Sequence, residues 1–281
     1  MTLRDFLEYG ESQLRSGPHP DRAKRDAETL LLHLVGKNKA WLMAHASDDF
    51  AGCSAIRYAS LLERRVKGKP IQYIIGEAEF YGMPFRVTPD VLIPRPETEH
   101  LVEKCLALAA QFAPSPRVLD VGSGSGAIAI VLAKHLANAT ITAADISELA
   151  LSIARENAKS NGVAIRFLQG DLLAPVTGEQ FELIVSNPPY VPATDRESLA
   201  VEVRDHEPSL ALYAGADGLE IYRRLIPQAF AALVPGGFIA LEIGYAQQPA
   251  IHTLLADTGF TNIEFTPDLQ GIPRVAIAQR N

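Results

Sequence analysis

Val118-Leu119-Asp120-Val121-Gly122-Ser123-Gly124-Ser125-Gly126 reads as an apolar strand that runs into a glycine-rich turn and then, from Ala127, into an apolar helix. Glycines let a ligand approach the backbone closely, and a helix N-terminus offers N–H groups that have no partner within the helix. A dinucleotide site asks for G-x-G-x-x-G, whose third glycine would stand at Ala127. Here the spacing is G-x-G-x-G preceded by Asp120, which fits that template poorly.

On either side of this stretch, strands and helices alternate. Strands are predicted at 117–121, 140–144, 165–169, 181–186 and 238–243, with two more near 263–266 and 274–278. Helices are predicted at about 97–112, 126–136, 147–160, 216–233 and 247–258. This order is the signature of an α/β fold, an open and mostly parallel sheet with helices on both faces. The first 75 residues differ: apolar residues recur at helical spacing, broken at Gly17-Pro18-His19-Pro20, with Asp21 placed to cap a second helix and a third around 55–67. They predict a small helical bundle. Between the two parts, Ile71 to Gly76 and Glu79 to Val87 are β-branched and aromatic, which predicts a hairpin that turns at Gly82-Met83-Pro84. The chain is thus read as a helical domain over 1–75, a hairpin linker over 76–92 and an α/β domain over 93–281.

The composition excludes several classes. Of 281 residues, 47% are hydrophobic and 21% charged, which excludes disordered and collagen-like chains. The longest unbroken apolar run, 127–133, falls far short of the roughly 20 residues of a membrane span, and the N-terminus lacks an apolar signal segment, so a cytoplasmic protein is expected. Cys53 and Cys105 stand alone and the His residues show no ligand spacing; neither a disulfide framework nor a metal site is expected. The net charge of −7 is unevenly spread: residues 1–92 carry net +1 and residues 93–281 carry net −8. A second part that acidic has no electrostatic attraction to phosphate backbones. The basic run Arg64, Arg65, Lys67 and Lys69 reads as a solvated helix end or, alternatively, as a patch for an acidic partner.

Three further sites carry chemistry. Asp145 ends the second α/β strand about 20 residues past the glycines, where a carboxylate can accept hydrogen bonds from ribose hydroxyls. Asp171 ends the third strand, placed either to accept from an adenine amino group or simply to close a loop. Ser186-Asn187-Pro188-Pro189-Tyr190 follows the strand 181–186. Two prolines remove two N–H donors and fix the backbone. The Asn187 side-chain carbonyl and the Pro188 carbonyl can then grip both hydrogens of a planar –NH2 group, with the flat face of Tyr190 beside it.

Asp120 to Gly126, Asp145 and Asn187-Pro188-Pro189-Tyr190 resemble the class I S-adenosylmethionine-dependent methyltransferases that modify planar amino groups. Three more runs narrow the resemblance: Gly68-Lys69-Pro70-Ile71-Gln72-Tyr73, Leu92-Ile93-Pro94-Arg95-Pro96-Glu97-Thr98-Glu99, and Glu207-Pro208-Ser209-Leu210-Ala211-Leu212 with Gly215-Ala216-Asp217-Gly218-Leu219. Together they resemble, nearly end to end, the peptide chain release factor glutamine N5-methyltransferase (HemK/PrmC) family. The resemblance implies a Rossmann-like class I methyltransferase domain and S-adenosyl-L-methionine as cofactor, with S-adenosyl-L-homocysteine as product. It implies that Gly122, Ser123, Gly124, Ser125 and Gly126 line the methionine and ribose side of the cofactor, that Asp145 holds the ribose, and that Asp171 and Leu172 flank the adenine. Asn187 would touch the cofactor as well. Asn187 and Pro188 would be the catalytic pair, and Asn187, Pro188, Pro189 and Tyr190 would bind the glutamine of the Gly-Gly-Gln loop of class I release factors. Residues 1–75 would dock that protein substrate. A monomer with no direct nucleic-acid or membrane partner is expected. The alternative is a nucleic-acid methyltransferase acting on adenine N6 or guanine N2, since such enzymes share the Asn-Pro-Pro-Tyr grip.

Overall fold

A computed structural model of the chain describes residues 1–50, 52–112 and 114–281; the side chain of Cys53 also lies outside it, and with it the expectation for that cysteine. Two units emerge: residues 1–77 with 199–206, and residues 78–198 with 207–281. The sequence reading assigns 199–206 to the α/β part, so this segment is a difference.

The first unit is helical: α1 (Leu3–Leu14), α2 (Ala23–Val35), α3 (Lys39–Ala44), α4 (Cys53–Val66) and α5 (Ile71–Ile75). Thr2 and Asp5 form a reciprocal cap on α1, each side chain accepting from the other's backbone N–H. Asp21, expected to cap α2, lies instead in a single 3-10 turn, Pro20–Arg22. Phe6, Leu30, Leu31, Tyr58 and Leu62 fill the core, and the Tyr58 hydroxyl donates to the Ala27 carbonyl at 3.0 Å. α5 corrects the first half of the predicted hairpin. Pro70 precedes it and Gly76, at φ 82°, closes it, so the β-branched run makes one helical turn that buries Tyr73 and Ile74. One residue of the basic run departs from both readings, while Lys67 is exposed as a solvated helix end would be. Arg65 is only 3% exposed; it donates to Asp26 Oδ2 at 2.6 Å, to Glu202 Oε1 at 3.1 Å and to the Lys69 carbonyl at 3.0 Å. It is neither solvated nor free to meet a partner.

β1 (Glu77–Phe80), whose first residue is the last of the first unit's opening segment, and β2 (Met83–Arg86) begin the second unit. Their turn is Tyr81-Gly82, both at positive φ, rather than the expected Gly-Met-Pro. Phe80 and Phe85 are fully buried in the core of this unit, so the hairpin is packed rather than a loose linker. There follow α6 (Glu97–Ala109), β3 (Arg117–Val121), α7 (Ala127–His135), β4 (Thr140–Asp145), α8 (Glu148–Asn161), β5 (Arg166–Gln169) and β6 (Phe181–Ser186). After α9 (Val201–His206), which belongs to the first unit, come α10 (Glu220–Ala232), β7 (Leu233–Glu242), α11 (Gln248–Thr258), β8 (Phe260–Pro267) and β9 (Pro273–Arg280).

The sheet order is β5-β4-β3-β6-β7-β9-β8. The first five strands are parallel, and β9 and β8 add an antiparallel edge. Near-continuous apolar runs in β3, β6 and β7 suit strands covered on both faces, and one cluster of buried residues fills each side. β7 is longer at its start than predicted. Pro235-Gly236-Gly237 reads as a strand breaker, yet a bulge opposite Phe181 to Leu183 lets the pairing run back to Leu233.

Candidate active site

The chain order reverses between β3 and its neighbour β6, because β4 and β5 lie on one side and β7 on the other. In open α/β sheets the crevice past the carboxyl ends of such strands is where ligands bind. Val121 pairs with Ser186, and the Ser186 hydroxyl donates to the Val121 carbonyl at 2.6 Å. The glycine loop and the Asn-Pro-Pro-Tyr loop therefore leave the sheet side by side, from Gly122 and Asn187. Between them opens a cavity of about 390 Å³, walled by both loops and by Asp145, Ile146, Asp171, Leu172 and Tyr213. Its size falls within the usual range for small-molecule sites.

Gly122 and Gly124 hold φ of 73° and 54°, and a Cβ at either would meet nothing within 4 Å, so glycine here supplies both the turn and the room. Asp145 serves the loop directly. Its Oδ2 accepts from Gly124 N at 2.8 Å and its Oδ1 from Ser147 N at 2.9 Å. Burial raises its carboxyl above the ordinary range, while these N–H donors pull it back. Asp171 lines the cavity with its carboxylate paired to the Arg224 guanidinium, and Leu172 beside it sits at φ 51°, a strained backbone for a leucine. Below the loop, burial pushes Asp120 up to about 7; its Oδ2 accepts from Ala129 N, and its Oδ1 has no partner among the described residues.

Ser123, Ser125 and Gly126 lie off the cavity wall. Ser125 turns its carbonyl to the buried Asn157 of α8, whose amide also exchanges two hydrogen bonds with the Arg86 backbone. Gly126 caps α7, where a Cβ would crowd Ile130 and Ala154 at about 3 Å. These residues shape the turn from behind.

At the other wall, the Asn187 amide nitrogen donates to Thr98 Oγ1 at 3.1 Å, and the Thr98 hydroxyl donates to Glu242 Oε2 at 2.6 Å. Burial pushes the Glu242 carboxyl up to about 7, opposed by its hydrogen bonds to Thr98 and Asn187. No donor among the described residues takes Asn187 Oδ1 or the Pro188 carbonyl. Asn187, Pro188 and Pro189 line the cavity; Tyr190 stands behind them, its hydroxyl raised by burial and then by Glu242. Its carbonyl accepts from Gln247 Nε2 at 3.0 Å, and Gly218 approaches so closely that a Cβ would fall 2.3 Å from that oxygen. In sequence Arg95, Glu97, Thr98 and Glu99 read equally as a plain helix start or as the run that the family resemblance sets near the cofactor, and Gln247 carries no signal at all. Glu242 has one: a lone acid in the apolar run Phe238-Ile239-Ala240-Leu241-Glu242-Ile243.

Comparison with known proteins places the chain in a family. The Methyltransferase small domain matches residues 98–203, and the PrmC N-terminal domain matches residues 5–76. The Release factor glutamine methyltransferase of Koribacter versatilis is 41% identical over 281 residues, covering 100% of this chain and 99% of that one. The chain belongs to the release factor glutamine methyltransferase family. Another member, from Deinococcus radiodurans, is 42% identical over 284 residues with 100% and 99% covered. The protein is therefore a methyltransferase, and its sheet is the class I methyltransferase sheet. A solved 16S rRNA N2 methyltransferase of T. thermophilus, in complex with AdoMet and guanosine, shares that fold at TM-score 0.55 and 20% identity, over 73% of this chain and 50% of that one. Among the described residues no helix is long and apolar enough to cross a membrane.

Proposed function

We propose that the protein methylates the side-chain amide nitrogen, N5, of the glutamine in the Gly-Gly-Gln loop of class I release factors, with S-adenosyl-L-methionine as donor. The observation that carries this reading is the pair of open carbonyls, Asn187 Oδ1 and Pro188 O, beside the cavity at the switch point. Two acceptors with no donor of their own suit a planar –NH2 group, which brings two hydrogens and needs both satisfied.

The residues fit the cofactor. Asp145 keeps lone pairs for a ribose diol beyond the two N–H groups it accepts, Gly122 and Gly124 leave the backbone bare, and Leu172 and Ile146 offer apolar surface for a purine. The cofactor supplies a methyl group activated by a sulfonium. What remains for the protein is alignment, because an amide nitrogen is a weak nucleophile whose lone pair is delocalised into its carbonyl. Hydrogen bonds from that nitrogen to Asn187 and Pro188 would fix its position and favour the positive charge that builds on it. Neither acceptor can take up the departing proton, so both act by orientation and electrostatics.

Residues 1–75 would dock the release factor, since one glutamine side chain offers far less surface than the roughly 1,200–2,000 Å² of a specific complex. The nucleic-acid alternative is not favoured: full-length relatives carry the release factor name, and residues 93–281 hold net −8. The test is partition of a labelled methyl group between release factor and RNA or DNA in one mixture. Label in the release factor is expected, and label in the nucleic acid would reverse the assignment.

A further inference from the structure

Glu242 is a buried acid, 3% exposed, at the end of a strand that otherwise carries apolar residues, and its side chain faces no substrate space. Its backbone carbonyl accepts from the Tyr222 hydroxyl at 2.7 Å, which fixes the strand end. Its carboxylate lies behind Asn187, accepting from the Thr98 hydroxyl, which in turn accepts from the Asn187 –NH2, and from Asn187 itself. The order of donors in this chain is fully determined when Glu242 is ionised. A carboxylate only accepts, so the Thr98 hydroxyl must spend its one proton on it. Thr98 Oγ1 then has only lone pairs left, so Asn187 must turn its –NH2 toward Thr98. The Asn187 carbonyl is thereby left on the opposite side, open to the cavity.

Resting on the amide grip proposed above, we infer that Thr98 and Glu242 are positioning residues that set the polarity of the Asn187 amide, so that its carbonyl and not its –NH2 meets the substrate. A protonated Glu242 can donate to Thr98, which frees the hydroxyl proton to point at Asn187 and allows the amide to flip. A flipped amide would present donors to a substrate that also brings donors, and the grip would be lost. The charge of Glu242 is itself set locally. Glu97 on α6 disfavours it, Arg274 on β9 favours it, and the Tyr190 and Tyr222 hydroxyls, both raised by burial, stay neutral beside it. Its carboxyl is held at about 7, so the ionised and orienting form prevails above that pH and is lost below it.

The experiment measures kcat against pH with saturating S-adenosylmethionine and intact release factor, alongside cofactor affinity by calorimetry, for wild type, Thr98→Val, Thr98→Ser, Glu242→Gln and Asn187→Ala. Thr98→Val keeps the shape and removes the hydroxyl; it should lower kcat roughly 10- to 100-fold, with cofactor affinity unchanged. Thr98→Ser restores the hydroxyl and should restore most of the rate. Wild type should lose kcat as pH falls through about 7, and Glu242→Gln, already neutral and able to pair either way, should be slow with that limb gone. Asp120 is also held near 7 but is untouched in every variant, so its contribution cancels in the difference between profiles. If Glu242→Gln does not fold, the Val and Ser exchange at Thr98 decides alone. Wild-type kcat in Thr98→Val with a crippled Asn187→Ala would overturn the inference while sparing the grip. Full activity of Asn187→Ala would overturn the grip and this inference together.

Discussion

Asp145 anchors the glycine loop and, in the proposed function, would hold the ribose with the same carboxylate. It receives Gly124 N and Ser147 N, and it stands in the cavity where a ribose would lie. Asp145→Ala should therefore weaken cofactor binding by more than one lost hydrogen bond, since charge-assisted bonds are worth about 1.5–3 kcal/mol each and the glycine loop loses its anchor as well. Calorimetry should show the affinity fall together with a modest drop in Tm; unchanged affinity would remove Asp145 from the site. Asn187→Ala should do the reverse, cutting turnover by about 100-fold or more while cofactor affinity changes little. Both residues were legible in sequence because each sits in a short local pattern, a strand end or a proline-fixed turn. Glu242 was not. Its partner Thr98 lies 144 residues earlier, and only the placement of β7 beside β6, with α6 packed over them, brings the two together.

Among the elements, the glycine loop depends on α8 more than its own sequence suggests. Asn157, 2% exposed, joins the Ser125 carbonyl to both backbone groups of Arg86 at the end of the hairpin. Asn157→Leu would strand the buried Ser125 carbonyl, at about 1–3 kcal/mol, and would remove the partner of the part-buried Arg86 N–H and carbonyl as well. Thermal unfolding should show a large loss of Tm, with weakened cofactor binding in whatever remains folded; a neutral substitution would show that the loop holds itself. The strands and helices around the sheet were readable from apolar runs and turns, to within a few residues. The stretch from Ile71 to Ile75 was not, because its β-branched residues favour a strand in isolation. Burial of Tyr73 and Ile74, with Gly76 closing the turn, outweighs that propensity.

At the scale of the whole molecule, the helical unit is stitched to a segment far along the chain. Arg65 meets Asp26 from its own neighbourhood and Glu202 from α9, all within the first unit. Four cations in six residues look like a surface patch in sequence; only the fold shows that one of them is a buried clamp. Arg65→Ala leaves the buried Asp26 carboxylate without its cation, whereas Glu202 keeps Arg22 and His19, and should destabilise this unit by about 3–5 kcal/mol, seen as an early transition in thermal unfolding. A single unchanged transition would argue that the ion pairs are incidental. If the unit docks the release factor, a short Gly-Gly-Gln peptide should show a far higher KM than the intact factor at similar kcat, whereas equal KM values would confine recognition to the pocket. On the proposed reading the open carbonyls of Asn187 and Pro188 hold a glutamine amide for methyl transfer. The most direct measurement is fragment-ion mass spectrometry of a release factor incubated with the enzyme and S-adenosylmethionine. The added methyl should map to the side-chain nitrogen of the Gly-Gly-Gln glutamine and form at least about 100-fold more slowly with Asn187→Ala; a methyl at any other residue, or one that forms at the wild-type rate in that variant, would contradict this assignment.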